Sequence, residues 1–327
     1  VQQDNMATTD KGVSGLVWAK NRDATDNHQW YDSSRGKQLV LASSAQDGES
    51  TVTDGLQKFL KGGQQIEDDV SINTAGESFA SWNWVANGGT TASNSDGSIT
   101  STVQANTTAG FSIVEFVGTG SAATVGHGLG QAPEFIIVKN LTDSSNWLIY
   151  SSLFGANKYG YLNLTNAWAT DTTGFNNVEP TSSVFSVGTA NETNGSTDSL
   201  VAYCWHEVDG FSKFGSYTGN GSTDGPFIYT GFKPTWLLIK RTDSSTGGNW
   251  SIIDNTRYPA NPIGAPLLAD STDAESGLSA ITMDLLSNGF KIRNTLNSNN
   301  NSSGSYIYMA FAEHPFVGDG TNPVTAR

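Results

Sequence analysis

One pattern occurs three times in this chain, and it constrains the fold more than any other feature. Leu16-Val17-Trp18-Ala19-Lys20-Asn21-Arg22 is followed by Trp30-Tyr31-Asp32. Phe135-Ile136-Ile137-Val138-Lys139-Asn140 is followed by Trp147-Leu148-Ile149-Tyr150. Trp236-Leu237-Leu238-Ile239-Lys240-Arg241 is followed by Trp250-Ser251-Ile252-Ile253-Asp254. An apolar run of four to six residues bounded by turn residues reads as a buried strand. Each run ends on a lysine, passes through a polar turn (23–27, 142–146, 242–249) rich in Asp, Ser, Thr and Asn, and opens a second strand on an aromatic. An alternating aromatic strand answers each pair later, over 79–84, 200–205 and 306–311. Repetition at this period marks a chain built from equivalent supersecondary units.

The second and third repeats also share an opening: Phe111-Ser112-Ile113-Val114 parallels Phe211-Ser212-Lys213-Phe214, and a proline precedes each lysine-ended strand, Pro133 and Pro234. The first repeat lacks this opening, so the chain is expected to start inside a larger repeating protein. With 36 glycines, 10% aromatics and only 15% charged residues, the composition favours turn-rich antiparallel β-structure over helix. The expected architecture is all-β: three tandem antiparallel β-sandwich modules over 1–90, 91–210 and 211–317, then an extended tail over 318–327. Sandwich edges require covering or pairing, between modules or between subunits. A net charge of −14 argues against nucleic-acid binding. The apolar runs are too short to span a bilayer as helices.

Candidate chemistry is thin. Cys204 is the single cysteine and reads as a buried small hydrophobe. His28, His127, His206 and His314 are far apart in sequence, with no metal-ligand spacing. Gly126-His127-Gly128-Leu129-Gly130 and Gly118-Thr119-Gly120 superficially resemble phosphate loops, yet no amphipathic helix or Lys-Ser/Thr pair follows. Glu67-Asp68-Asp69 and Asn94-Ser95-Asp96-Gly97 read as solvated acidic turns, since neither has a full calcium-loop spacing. Asp32 with Arg35 and Asp254 with Arg257 repeat at i, i+3. A glycosidase acid would need an opposed partner, and a repeated pair reads better as a turn clamp. No catalytic, cofactor-binding or metal residue is assigned. Four aromatics outside the repeat pattern, Tyr159, Tyr161, Trp168 and Tyr258, are the candidate ligand or receptor contacts, because loop aromatics among Asn, Asp and Ser stack on sugars or serve subunit contacts.

The strings Ala109-Gly110-Phe111-Ser112-Ile113-Val114, Gly126-His127-Gly128-Leu129-Gly130, 215–221 (GSYTGNG), 231–240 (GFKPTWLLIK) and Met309-Ala310-Phe311-Ala312-Glu313 together resemble a repeated domain of large virion structural proteins of marine tailed phages. The resemblance implies a lectin-like sandwich of the concanavalin or SPRY type and a role on the virion exterior, on tail or capsid surface. It supplies no catalytic residues. The expected function is therefore a non-enzymatic tail fibre or tail-associated adhesin contributing to host attachment. It would contact other virion proteins and host cell-surface glycan and assemble as a homo-oligomer, a trimer being favoured, without cofactor or membrane insertion. Capsid decoration or a head fibre, a polysaccharide depolymerase and a bacterial secreted adhesin are the competing readings. An acidic β-rich chain suits high ionic strength, where a Debye length of a few Å screens self-repulsion, and tandem modules in several copies convert weak contacts into avidity.

Overall fold

A computed structural model describes residues 14–60, 63–87, 89–275 and 282–312. The fold is all-β. The first repeat contains β1 (Ser14–Asn21), β2 (Gln29–Asp32), β3 (Leu39–Ala42), β4 (Ser50–Thr51), β5 (Leu56–Leu60), β6 (Gly63–Ile66), the one-turn helix α1 (Val70–Asn73) and β7 (Phe79–Val85). The second contains β8 (Ala92–Asn94), β9 (Ser101–Asn106), β10 (Phe111–Val117), β11 (Ala123–Gly126), β12 (Phe135–Asn140), β13 (Leu148–Ser151), β14 (Lys158–Tyr161), β15 (Ala169–Thr170), β16 (Val184–Val187), α2 (Asn191–Asn194) and β17 (Ser199–Trp205). The third contains β18 (Ser212–Thr218), β19 (Phe227–Tyr229), β20 (Pro234–Arg241), β21 (Trp250–Asp254), β22 (Leu267–Leu268), β23 (Met283–Leu286), β24 (Gly289–Ile292) and β25 (Ser305–Ala312).

The lysine-ended strands β1, β12 and β20 occupy equivalent places. Each lies between the strand that follows it and the late aromatic strand: β2-β1-β7, β13-β12-β17 and β21-β20-β25, all antiparallel. Small sheets cover the main ones: β5-β6 in the first repeat, β11-β16 in the second and β19-β24-β23 in the third. Apolar cores among the described residues are centred on Val17, Tyr31 and Leu56; on Ile136, Val138 and Phe185; and on Leu237, Ile239 and Phe290. This is the packing of two antiparallel layers, each lending one face to a core.

The strand register corrects one equivalence. The sequence pattern matches Trp30 with Trp147 and Trp250. In the sheet, Ala19 pairs with Gln29 and Trp18 with Trp30, so the residue facing Lys20 is His28. Val138 pairs with Leu148, so Lys139 faces Trp147, and Lys240 pairs with Trp250 directly. His28 thus stands where the other repeats carry tryptophan, and Trp30 sits two residues further along. A slip of two leaves a strand residue on the same face, so alternation alone does not distinguish the alignments.

The chain divides into two compact units, residues 1–163 with 169–206, and 164–168 with 207–327. The first two repeats therefore share one body. Trp30 packs against Trp147 and Tyr203, with ring centroids 5.0 and 5.1 Å apart, and Trp84 against Trp205 at 6.2 Å. That second buried face explains why β12 and β17 read as continuous apolar runs: a strand covered on both sides has no polar alternation to show. Residues 318–327 and His314 lie outside the described residues. Among the described residues, no helix is long and apolar enough to cross a membrane.

Candidate functional site

The Asp–Arg pairs are the most chemically suggestive groups, and the fold buries both. Leu16 pairs with Asp32 and Trp236 with Asp254, so the two aspartates occupy equivalent strand ends. Asp32 Oδ1 accepts the backbone N–H groups of Ser34 and Arg35 at 3.0 and 2.9 Å. Its Oδ2 accepts Arg35 Nε and the Tyr203 hydroxyl, the latter at 2.8 Å. Arg35 also reaches Glu49 at 2.7 Å and the Trp30 carbonyl at 3.2 Å. Burial opposes the Arg35 charge, but Asp32, Tyr203 and Glu49 outweigh it and hold the guanidinium above its ordinary pKa. In the second unit, Asp254 Oδ1 takes the Thr256 and Arg257 N–H groups. Arg257 bonds Asp254 at 2.6 Å, Glu275 and the Ile252 carbonyl. Each carboxylate braces a turn. In the second repeat the equivalent residue is Ser151, and Glu179 performs the bracing instead, accepting from the Tyr150 hydroxyl at 2.6 Å and the Ala156 N–H at 2.7 Å.

The three lysines are buried as well. Lys20 Nζ donates to the carbonyls of Asn21 and Ala24 at 2.6 and 3.1 Å. Lys139 donates to Ser145 and Gln46 carbonyls, both at 2.9 Å. Lys240 donates to the carbonyls of Gly248 and Leu164, the latter at 3.1 Å. Burial pushes both Lys139 and Lys240 down to about 8. No carboxylate is the primary partner of either; the sockets are built from backbone carbonyls.

Three of the histidines, Cys204 and Asp69 are also absorbed into structure. His28 Nδ1 accepts the Trp18 indole N–H at 2.8 Å. His127 is buried, its Nε2 3.1 Å from the Thr181 carbonyl, and burial lowers its pKa. His206 is buried. Cys204 is fully buried and burial raises its thiol pKa. Asp69 caps α1 by accepting the Ser71 N–H at 3.0 Å. Among the described residues no cluster of His, Cys, Asp and Glu has metal-binding geometry.

The glycine loop at 118–120 is closed by a buried asparagine. The Thr119 N–H donates to Asn194 Oδ1 at 2.7 Å, and Asn194 Nδ2 donates to the Ser121 and Gly188 carbonyls at 2.7 Å each. Asn300 makes the equivalent lock on 219–221, taking the Asn220 N–H at 2.9 Å and donating to the Ser222 and Asn294 carbonyls. A Cβ at Gly118 or Gly219 would meet the Gly195 or Asn301 carbonyl at 2.1 or 2.2 Å, which is why glycine stands at both. Amides satisfied within the fold leave no cradle for phosphate.

The four aromatics singled out from the sequence do not form one cluster. Tyr159 and Tyr161 pair edge to face at 5.0 Å on β14 and pack half-buried on the core of the second repeat. Trp168 lies 6.3 Å from Trp250, and Tyr258 packs half-buried on the core of the third repeat. Among the described residues the most exposed aromatics are ones the repeat pattern did not mark: Phe227 at 45% and Tyr229 at 65%. They alternate with buried Ile228 on β19 and so point outward together. Lys291 pairs opposite Phe227 and Asp284 opposite Lys291. Asp224 bonds Lys291 at 2.8 Å, and Arg293 bonds Asp284 at 2.6 Å. The outer face of this small sheet therefore carries an aromatic pair beside two acids and two bases.

These features define a class: an all-β repeat protein with sandwich-like antiparallel sheets, whose ionisable groups brace the scaffold and whose exposed aromatics gather on a small covering sheet. The family model described as a domain of unknown function (DUF7483) matches residues 3–315, and the chain belongs to that family. No curated protein matches the chain. No solved structure matches it either.

Proposed function

We propose that this chain is a non-enzymatic structural component of a phage virion, a tail fibre or tail-associated adhesin on the particle exterior. The observation that carries the reading is the repeated use of reactive side chains as internal braces. Asp32 and Asp254 are saturated by donors at equivalent positions, Lys20, Lys139 and Lys240 are sunk into carbonyl sockets, and Cys204 is sealed. A working acid or nucleophile needs an open side facing substrate, and these groups face protein. The resemblance of the repeat strings to marine phage virion proteins supplies the setting, and the exposed Phe227–Tyr229 face is the kind of surface that joins subunits or meets a host glycan. The other virion proteins are the expected neighbours, and several copies are expected to act together.

Labelling purified particles with an antibody to this chain tests the reading. Signal at tail tips or fibres supports it; signal on the capsid moves the chain to a decoration role; absence from particles rejects it. Incubation with purified host polysaccharide tests the enzymatic alternative, and shortened product chains would establish it.

A further inference from the structure

The outer edge of β11 in the second repeat is covered, and among the described residues no strand lies along its counterpart β19 in the third. In the second repeat the segment before β10 does the covering. The Ile99 N–H donates to the Thr124 carbonyl at 3.0 Å, Ser98 Oγ accepts the Thr124 N–H at 2.9 Å, and Ser101 Oγ donates to the Gly126 carbonyl at 2.7 Å. Ile99 and Val125 form a parallel bridge. Val125 pairs with Phe185 as Ile228 pairs with Phe290, so Thr124 and Gly126 correspond to Phe227 and Tyr229. Only residues 206–211 separate β17 from β18, so the third repeat has no preceding segment equivalent to 98–101.

The backbone of β19 is aimed outward as a result. Ile292 N–H donates to the Pro226 carbonyl and Thr230 N–H to the Asn288 carbonyl. By antiparallel alternation, Ile228 bonds β24, while the N–H and C=O of Phe227 and Tyr229 face away from it. Among the described residues no strand lies against that side. An open edge carrying two outward aromatics is a template for another strand.

We propose that β19 pairs antiparallel with β19 of a second copy of this chain, about a two-fold axis through Ile228. The register is self-complementary. It sets Phe227 opposite the partner's Tyr229 and Tyr229 opposite the partner's Phe227, on one face, and joins the outward backbone groups in four hydrogen bonds. A two-fold contact of this kind closes on itself. Local charge permits the contact. The chain carries −14 overall, yet Asp224, Asp284, Lys291 and Arg293 around the aromatics sum to zero, so a second copy of the face meets no net repulsion. The contact is small and so gives a concentration-dependent dimer, not an obligate one. It departs from the trimer favoured by the sequence reading, and it stands whether or not the chain is a virion component.

Analytical ultracentrifugation of the full chain over a wide concentration range is the first test, with circular dichroism to verify the fold. The wild type is expected to show a monomer–dimer equilibrium, shifted to monomer by Phe227→Lys with Tyr229→Lys. The second test mixes Phe227→Cys protein with Tyr229→Cys protein under mild oxidation, with the wild type, whose Cys204 is buried, as control. A disulfide-linked dimer is expected in the mixture and not from either variant alone. A chain that stays monomeric, an oligomer indifferent to the lysine pair, or cross-linking of Phe227→Cys with itself would overturn the proposal.

Discussion

The Tyr203 hydroxyl donates to Asp32 Oδ2 at 2.8 Å, joining the closing strand of the second repeat to the turn brace of the first. Both residues are fully buried, and Arg35 shares the same carboxylate. Asp32→Ala leaves the Arg35 guanidinium buried beside a hole, a loss of about 3–5 kcal/mol. Tyr203→Phe removes one neutral donor and costs about 1–2 kcal/mol. Denaturant unfolding of the two variants should show this order; equal costs would mean that the carboxylate is not the hub.

The lysine sockets predict a pH dependence. Lys139 and Lys240 have an ordinary pKa of 10.5 that burial lowers to about 8 in the folded chain. Between those values the unfolded chain holds more protons, so stability rises with pH across the window. Burial, reinforced by Asp32, raises Tyr203 well above its ordinary 10.0, so stability falls again once the unfolded tyrosine ionises. Thermal unfolding should therefore show stability rising from about pH 8 and turning over only above about pH 10. Lys139→Met should flatten the rise while orphaning the Gln46 and Ser145 carbonyls, at about 1–3 kcal/mol.

Glu115 responds with the opposite sign. Burial, then the Asp32 charge, raises it from 4.5 to about 7, against the pull of Arg35. The unfolded glutamate loses its proton first, so its contribution to stability is lost as pH rises from 4.5 through 7. Glu115→Gln should remove that fall and stabilise the chain at pH 8 by about 1 kcal/mol after allowance for solvent screening. An unchanged pH profile by thermal melt would count against a raised Glu115 carboxyl.

Asn194 and Asn300 each tie a glycine turn to the rest of a repeat through one accepted and at least two donated hydrogen bonds. Replacing either with alanine strands a buried N–H and two carbonyls, at about 3 kcal/mol or more. Because the locks are equivalent, the two variants should lose similar stability in chemical denaturation, each in its own compact unit.

The sheet core was legible because its apolar strings are continuous and end on a lysine, a contrast that survives any background composition. The matched braces at Asp32 and Asp254 were legible for the same reason, as a repeated i, i+3 pair. Two things were not. The slip that sets His28 opposite Lys20 preserves strand face, so hydrophobic pattern is blind to it. The exposure of Phe227 and Tyr229 depends on an edge neighbour: Ile99 bridges Val125 on β11, and among the described residues no strand lies along the outer edge of β19. A short aromatic strand looks the same in a string of letters whether its edge is shielded or bare. Tyr159, Tyr161 and Tyr258 drew notice as loop aromatics, yet all three lie half-buried against cores.

The shared aromatic wall between the first two repeats sets the grain at which this architecture is divisible. Severing the chain near residue 90 would strip Trp30 and Trp84 from one fragment and Trp147, Tyr203 and Trp205 from the other, baring on each a surface that the intact body keeps dry. Recombination that shuffles such repeats would therefore be expected to move the first two together, even though the sequence period marks out single ones.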